Sequence, residues 1–465
     1  MTTNEALLPD ATELLRQMRE GERTAEVIMQ EHLTRLHETQ PLHNGATQIM
    51  SDSALAQARS PRKGPLSGLP LSVKETFNIK GEKVTLGSKR RSPQLADSDA
   101  VVVSKLQNAG AIVIARSNVP ELAMAGETDN LVFGRTSNAI NPQRVAGGSS
   151  GGEGVLVATG ASAIGIGSDI LGSIRIPAAF NGIVGFKPAS GSVDKGGTWP
   201  QLGDDFLSSW LSIGPLVRSV RDAKLVSSVI FEHVLPESPP IDKLRLIIPD
   251  PFYLKIVDPT IRQALTSSEA ALSDAGMTVL HKPFPDVPKL FKGLQKMVVH
   301  DLEKPLLAEL STPEGDAFSI RREIVDRLLG RPTVYGGLFQ LLLLAPLLRP
   351  SASSVPGIVA AMNAARQKYH RMLGSDGIML LPTVGQLAPP HGRMNRDSLR
   401  PGVNGKVTAV TFANMMDMPA ITLPCTAERD VYTGLVPAIM LLSAPGAEGA
   451  LLDTASVLEE NIQAN

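Results

Sequence analysis

Apolar side chains recur at helical spacing near the start of the chain. Leu14, Leu15 and Met18, then Val27, Ile28, Leu33 and Leu36, lie three and four residues apart, which predicts helices over 10–40. Asp10, with Glu13 three residues on, reads as an N-terminal cap, and Gly21 interrupts the run. After a Pro/Gly/Ser/Arg stretch at 57–68 the period changes. Residues 69–73 form a short apolar run of strand type, 99–109 an amphipathic helix closed by Gly110, and 111–115 a buried strand. Residues 150–159 read as helix and 163–167 as strand. The alternation returns at 244–248 (strand), 258–275 (helix) and 277–281 (strand). Residues 290–375 are mostly helical, with breaks at 313–315, 331–337 and 350–356. Strand character resumes at 378–381 and 420–424.

Strands and helices alternating in this way predict an α/β fold, a mixed or parallel sheet covered by helices. No repeat and no linker divides the chain. The expectation is therefore one domain over 1–465, with N-terminal helices at 1–60, a core at 61–225 and a helical excursion at 290–375.

Composition narrows the function. The chain has 465 residues, 43% hydrophobic and 20% charged, and a net charge of −1, which gives no electrostatic reason to expect nucleic acid. A single cysteine, Cys425, excludes an internal disulfide and a cysteine zinc cluster and fits a reducing, cytoplasmic setting. The first five residues lack the basic start and apolar stretch of a signal peptide. The greasiest run, 338–348, contains Gln340 and Pro346 and is too short to span a bilayer. It reads either as a buried or cap helix or as an apolar lip toward a lipid-like substrate or membrane surface. A homodimer is left open.

Three segments carry candidate chemistry. Lys74 ends the apolar run at 69–73, and its flanks predict burial, which lowers a lysine pKa by disfavouring the ammonium. A lysine kept neutral near pH 7 can act as a base. Glu75 beside it points to the opposite face of a strand. Gly147-Gly148-Ser149-Ser150-Gly151-Gly152 is the second segment, and Gly167-Ser168-Asp169-Ile170-Leu171-Gly172-Ser173-Ile174-Arg175 the third. Glycines beside serine let backbone N–H groups approach a reacting oxygen. The Gly148–Gly152 stretch also fits a G-x-S-x-G elbow at Ser150. The residues before it look like loop rather than strand, however, and no later histidine stands in a motif.

The two loops, with Gly64-Pro65-Leu66 through Lys74-Glu75, Phe133-Gly134-Arg135-Thr136, Gly182–Pro188 and Gly214–Val220, resemble the amidase signature family over nearly the whole chain. The resemblance implies a central mixed β-sheet covered on both faces by helices, and an acyl-enzyme amidohydrolase that uses neither metal nor cofactor. By the same resemblance Ser173 matches the nucleophile, Ser149 the relay serine behind a cis peptide bond, and Lys74 the base. Ser150 is implied as a helper, the N–H groups of Ile170, Leu171, Gly172 and Ser173 as the oxyanion hole, and Asp169 and Arg175 as braces.

Gly151–Leu156, Met416–Pro419 and 338–348 lean toward the fatty acid amide hydrolase branch, and Ala123 and Met124 map near the family's acyl-side wall. The expected substrate is a small-molecule amide with a hydrophobic or aromatic acyl group. In the family's glutaminase members an acidic residue would stand where this chain has Val407. Leu171 departs from the family's usual glycine. It either shapes the acyl pocket in an ordinary conformation or, if positive φ is needed there, weakens the oxyanion hole. The alternatives held open are acyl transfer, cyclisation or ester cleavage through the same acyl-enzyme, and a catalytically impaired binding homologue.

Overall fold

A computed structural model describes residues 8–91, 94–200, 206–249, 258–311, 317–394 and 406–462. The helix break expected at 313–315 and the first five residues lie outside the described residues. The elements begin with helices α1 (Ala11–Arg19) and α2 (Ala25–His43), strand β1 (Ala46–Ile49) and α3 (Ser51–Ala58). There follow β2 (Pro70–Lys74), β3 (Lys83–Val84), β4 (Gln94–Leu95), α4 (Val101–Asn108) and β5 (Ile112–Ser117). The segment carrying both glycine loops contributes α5 (Gly151–Ala158), β6 (Ile164–Asp169), α6 (Arg175–Asn181) and β7 (Val184–Lys187). Then come β8 (Ser212–Val217), α7 (Val220–Ile230), β9 (Arg245–Pro249), α8 (Pro259–Asp274) and β10 (Thr278–Lys282). The helical excursion is α9 (Val287–Glu309), α10 (Ile320–Leu328), α11 (Gly336–Leu348) and α12 (Val355–Leu373). The chain closes with β11 (Gly377–Pro382), α13 (Thr408–Met415), β12 (Ala420–Pro424), β13 (Ala438–Leu442) and α14 (Glu448–Ile462).

Local signals set several of these boundaries. The Asp10 side chain accepts from the Glu13 N–H and caps α1, as its spacing predicts. Asp258 caps α8 with Pro259 at its first position, where a missing N–H costs nothing.

Among the described residues, eleven strands form one sheet in the order β1-β5-β2-β6-β8-β7-β12-β13-β11-β9-β10. The sheet is mixed: β2 runs parallel to β5 and β6, and β9 parallel to β10 and β11, while the strands between are antiparallel. Side chains alternate between two cores. Ile378, Leu380, Ile439 and Leu441 join the core under α1, α4, α7, α8 and α14. Met379, Leu381, Met440 and Leu442 join the core beneath α9, α11, α12 and α13. Burial on both faces explains why these strands read as continuous apolar runs rather than alternating ones.

Candidate active site

β2 lies between β5 and β6 and is parallel to both, so the three C-terminal ends come together. The register pairs Val73 with Ile166, which sets Lys74 at the end of β2 beside Ser168 near the end of β6. Lys74 is fully buried. Its Nζ lies 2.8 Å from Ser149 Oγ, 3.0 Å from Ser168 Oγ and 3.2 Å from the Ser168 carbonyl oxygen. Burial lowers the amine to about 7, opposed in part by the charges of Asp169 and Glu153. The carbonyl can only accept, so one Lys74 N–H goes to it. In the neutral amine a lone pair remains for the hydroxyl of Ser149.

The sequence did not mark Ser168 as a functional residue. Its signal is the parallel register, which no local pattern carries. Glu153, in the first turn of α5, was also missed as part of the site. It is fully buried, and its carboxyl accepts from the Ser72 hydroxyl. Burial pushes it up to about 8, opposed by its hydrogen bond from Ser72 and by the charge of Lys74.

The peptide bond between Gly148 and Ser149 is cis. A Cβ on Gly148 would stand 2.6 Å from the Ala125 carbonyl oxygen, so only glycine fits there. Thr128 Oγ1 donates to the Gly147 carbonyl at 2.8 Å and holds the start of the loop. The Ser150 hydroxyl is buried without a hydrogen-bond partner among the described residues, and its backbone N–H reaches the loop after β6, donating to the Ser173 carbonyl at 3.1 Å.

Asp169 organises the loop after β6. It accepts from the N–H groups of Gly172 (2.8 Å) and Ile174 (3.0 Å). It also accepts from Arg175 Nε (3.1 Å) and Nη2 (3.0 Å), and from Asn414 Nδ2 (2.9 Å). Burial works against its ionisation, but the Arg175 guanidinium outweighs it and holds the carboxyl well below the usual range. Arg175 extends the brace to the Val410 carbonyl at 2.7 Å. Asn414, on α13, is a further residue that no sequence pattern placed in this network.

This bracing bears on the amides expected at the oxyanion. The Gly172 N–H is committed to Asp169 and is unavailable to a substrate. The N–H groups of Ile170, Leu171 and Ser173 have no protein acceptor among the described residues. Gly172 carries φ of +106°, whereas Leu171 is not in the left-handed region. The side chain thus stands where the backbone is ordinary, and glycine where it is not. The conformational penalty considered for Leu171 does not arise.

A cavity of about 330 Å³ is lined by Ser149, Ser168, Leu171 and Ser173. Ala123 and Met124 line it too, as do Gln340, Leu341 and Leu344 of α11. Ser173 Oγ makes no protein hydrogen bond among the described residues. A larger cavity of about 550 Å³ between α9 and α12 contains none of these serines, so the chemistry points to the smaller one. Within α11, Leu338, Leu342 and Ala345 are buried while Leu343 and Leu347 face outward. The run at 338–348 is thus both a packed helix and a wall of the cavity. No helix among the described residues is long and apolar enough to cross a membrane.

Comparison with known proteins identifies relatives over nearly the whole chain. The family model described as amidase matches residues 27–452. A fatty-acid amide hydrolase 2-B from Danio rerio is 31% identical over 418 residues, 84% of this chain and 79% of that protein. One component of a glutamyl-tRNA(Gln) amidotransferase from Thermosynechococcus vestitus is 29% identical, covering 96% of this chain and 97% of that one. A crystal structure of an amidase superposes with a TM-score of 0.80 at 28% identity, over 98% of this chain and all of that one.

Proposed function

Because this chain belongs to the amidase signature family of amide-hydrolysing enzymes, we propose that it cleaves its amide through an acyl-enzyme on Ser173, with Ser149 as relay and Lys74 as base. The observation that carries this reading is the fully buried Lys74 amine, lowered to about 7 and 2.8 Å from the Oγ of Ser149, which lines one cavity together with Ser173.

In the acylation step Ser173 Oγ bonds to the amide carbonyl carbon. Its proton passes to Ser149, and the Ser149 proton passes to Lys74. The oxyanion is held by the N–H groups of Ile170, Leu171 and Ser173, where one donor contributes about 3 kcal/mol. Lys74 returns its proton through Ser149 to the leaving nitrogen as the C–N bond breaks. Water then adds to the acyl-enzyme by the same relay, releasing the acid and restoring Ser173. Asp169 and Arg175 touch no substrate and hold the loop in place.

The acyl group is hydrophobic or aromatic. Leu171, Met124, Leu341 and Leu344 line the cavity, with Gln340 among its few polar neighbours. The ordinary backbone of Leu171 supports an active enzyme over an impaired homologue. Intact-mass measurement after treatment with an alkyl fluorophosphonate tests the assignment. One adduct on Ser173, absent in Ser173→Ala together with turnover, is the expected result. Labelling of another residue, or full turnover by the variant, would refute it.

A further inference from the structure

We propose that Glu121 and Asp129 clasp Tyr335, fixing the start of α11 against the opposite wall of the acyl cavity and so setting which acyl groups enter. The inference rests on the acyl-enzyme reading above and names residues that shape its specificity without touching the reacting atoms.

The cavity has two walls far apart in sequence. One is the segment 122–126, which contributes Ala123 and Met124, and the other is α11, which contributes Leu341 and Leu344. Their separation is a tertiary distance, and something must hold it. The first wall is firmly set. Leu122 and Ala123 both adopt left-handed conformations, φ +51° and +57°, unfavourable for residues with side chains. They are held by Leu122 N–H to the Leu86 carbonyl at 2.8 Å and by Trp199 Nε1–H to the Leu122 carbonyl at 3.1 Å.

Glu121, immediately before this pair, is 1% exposed. One carboxyl oxygen accepts from the Ser88 hydroxyl at 2.6 Å. The other accepts from the backbone N–H of Tyr335. Tyr335 is the residue that leads into α11, and no side chain of its own helix caps that end. The same tyrosine donates its hydroxyl to Asp129 Oδ2 at 3.2 Å. Both anchors therefore come from the segment that runs along the first wall, and both act on one residue at the head of the second. A helix of thirteen residues spans about 20 Å, so release of one end tilts Leu341 and Leu344 with it. Both anchors are hydrogen bonds to carboxyl oxygens, and both converge on the residue at the head of the helix.

The experiment compares Glu121→Ala, Glu121→Gln and Tyr335→Phe with the wild type on p-nitroanilides of increasing acyl length, alongside hydrogen exchange. The alanine and phenylalanine variants are expected to lose roughly threefold to tenfold in kcat/KM on long acyl groups, through KM, with the acetyl substrate unchanged. Glu121→Gln keeps an acceptor for the Tyr335 N–H and should restore most of the loss. Exchange in 336–348 should rise in the alanine and phenylalanine variants and stay unchanged in 149–175. An equal loss at every acyl length, no loss at any, or unchanged exchange in α11 would overturn the clasp. Failure of the wild type to turn over any anilide, with no label on Ser173, would refute the acyl-enzyme reading instead. The exchange arm would still judge the clasp.

Discussion

Replacing Lys74 by methionine separates the two consequences of burying an amine. In the unfolded chain this lysine keeps its proton up to about its ordinary value of 10.5, and in the folded protein it loses it near 7. The drop corresponds to about 5 kcal/mol against the ammonium, at ~1.4 kcal/mol per factor of ten. Between these two values the unfolded state binds more protons, so this residue makes stability rise with pH by about 1.4 kcal/mol per pH unit. Below pH 7 the full cost is present, and above pH 10.5 it is gone.

Lys74→Met removes that dependence. It leaves the hydroxyls of Ser149 and Ser168 without their nitrogen partner, a pH-independent loss of about 1–3 kcal/mol. Urea titrations at pH 6, 7.5 and 9 check the difference between the two proteins, in which the contributions of other buried groups such as Lys187 largely cancel. The wild type should gain about 2 kcal/mol on the variant between pH 7.5 and 9. Turnover by the variant should fall by a factor on the order of 10² to 10⁴. In the wild type kcat/KM should rise through about pH 7 to a plateau, because the neutral amine is the base. A stability difference flat from pH 7 to 9, or a variant with undiminished turnover, would refute the reasoning.

Other substitutions probe the loop and its lining. Leu171→Gly should shift preference among acyl groups without a large gain on a simple aryl amide, since Leu171 lines the cavity in an ordinary conformation. A uniform gain across substrates would count against this. Ser168→Ala removes the hydroxyl 3.0 Å from Lys74 Nζ. It should lower kcat about tenfold and move the pH midpoint of kcat/KM below that of the wild type, because the ammonium loses a polar neighbour. An unmoved midpoint would exclude Ser168 from the base's environment. Asp169→Asn leaves the buried Arg175 without its counter-charge. It should cost about 3–5 kcal/mol of stability in urea unfolding, and a loss under 1 kcal/mol would show the brace to be dispensable.

Legibility in the sequence followed the range of the physical cause. Lys74 was marked because it ends a mostly apolar run, Leu69–Val73, with Phe77 and Ile79 soon after, and burial was expected from those local neighbours. The cap at Asp10 and the stop at Gly110 are equally local, settled by hydrogen bonds and φ within a few residues. Ser168 was not marked because its closeness to Lys74 depends on the parallel register of two strands more than ninety residues apart. Asn414 reaches Asp169 from α13, across the fold. Resemblance to a family named the oxyanion loop but could not tell which of its amides is free. That depends on where the Asp169 carboxyl points, and it points at Gly172. The departure at Leu171 carried two readings because a glycine in a motif does not say which residue needs positive φ. The backbone assigns that need to Gly172.

From the sequence alone came the alternation of strands and helices, the buried lysine, and the serines whose spacing matches a known motif. These depend on periodicity, apolar flanks and short-range geometry, all written in consecutive residues. The tertiary structure decided the rest. It brought Ser168 to the lysine and turned the Gly172 amide toward Asp169. It also built the acyl cavity from the segment at 122–126 and a helix more than two hundred residues later. No period links those walls. Their separation is set by packing and by a few buried hydrogen bonds, which exist only once the chain has folded.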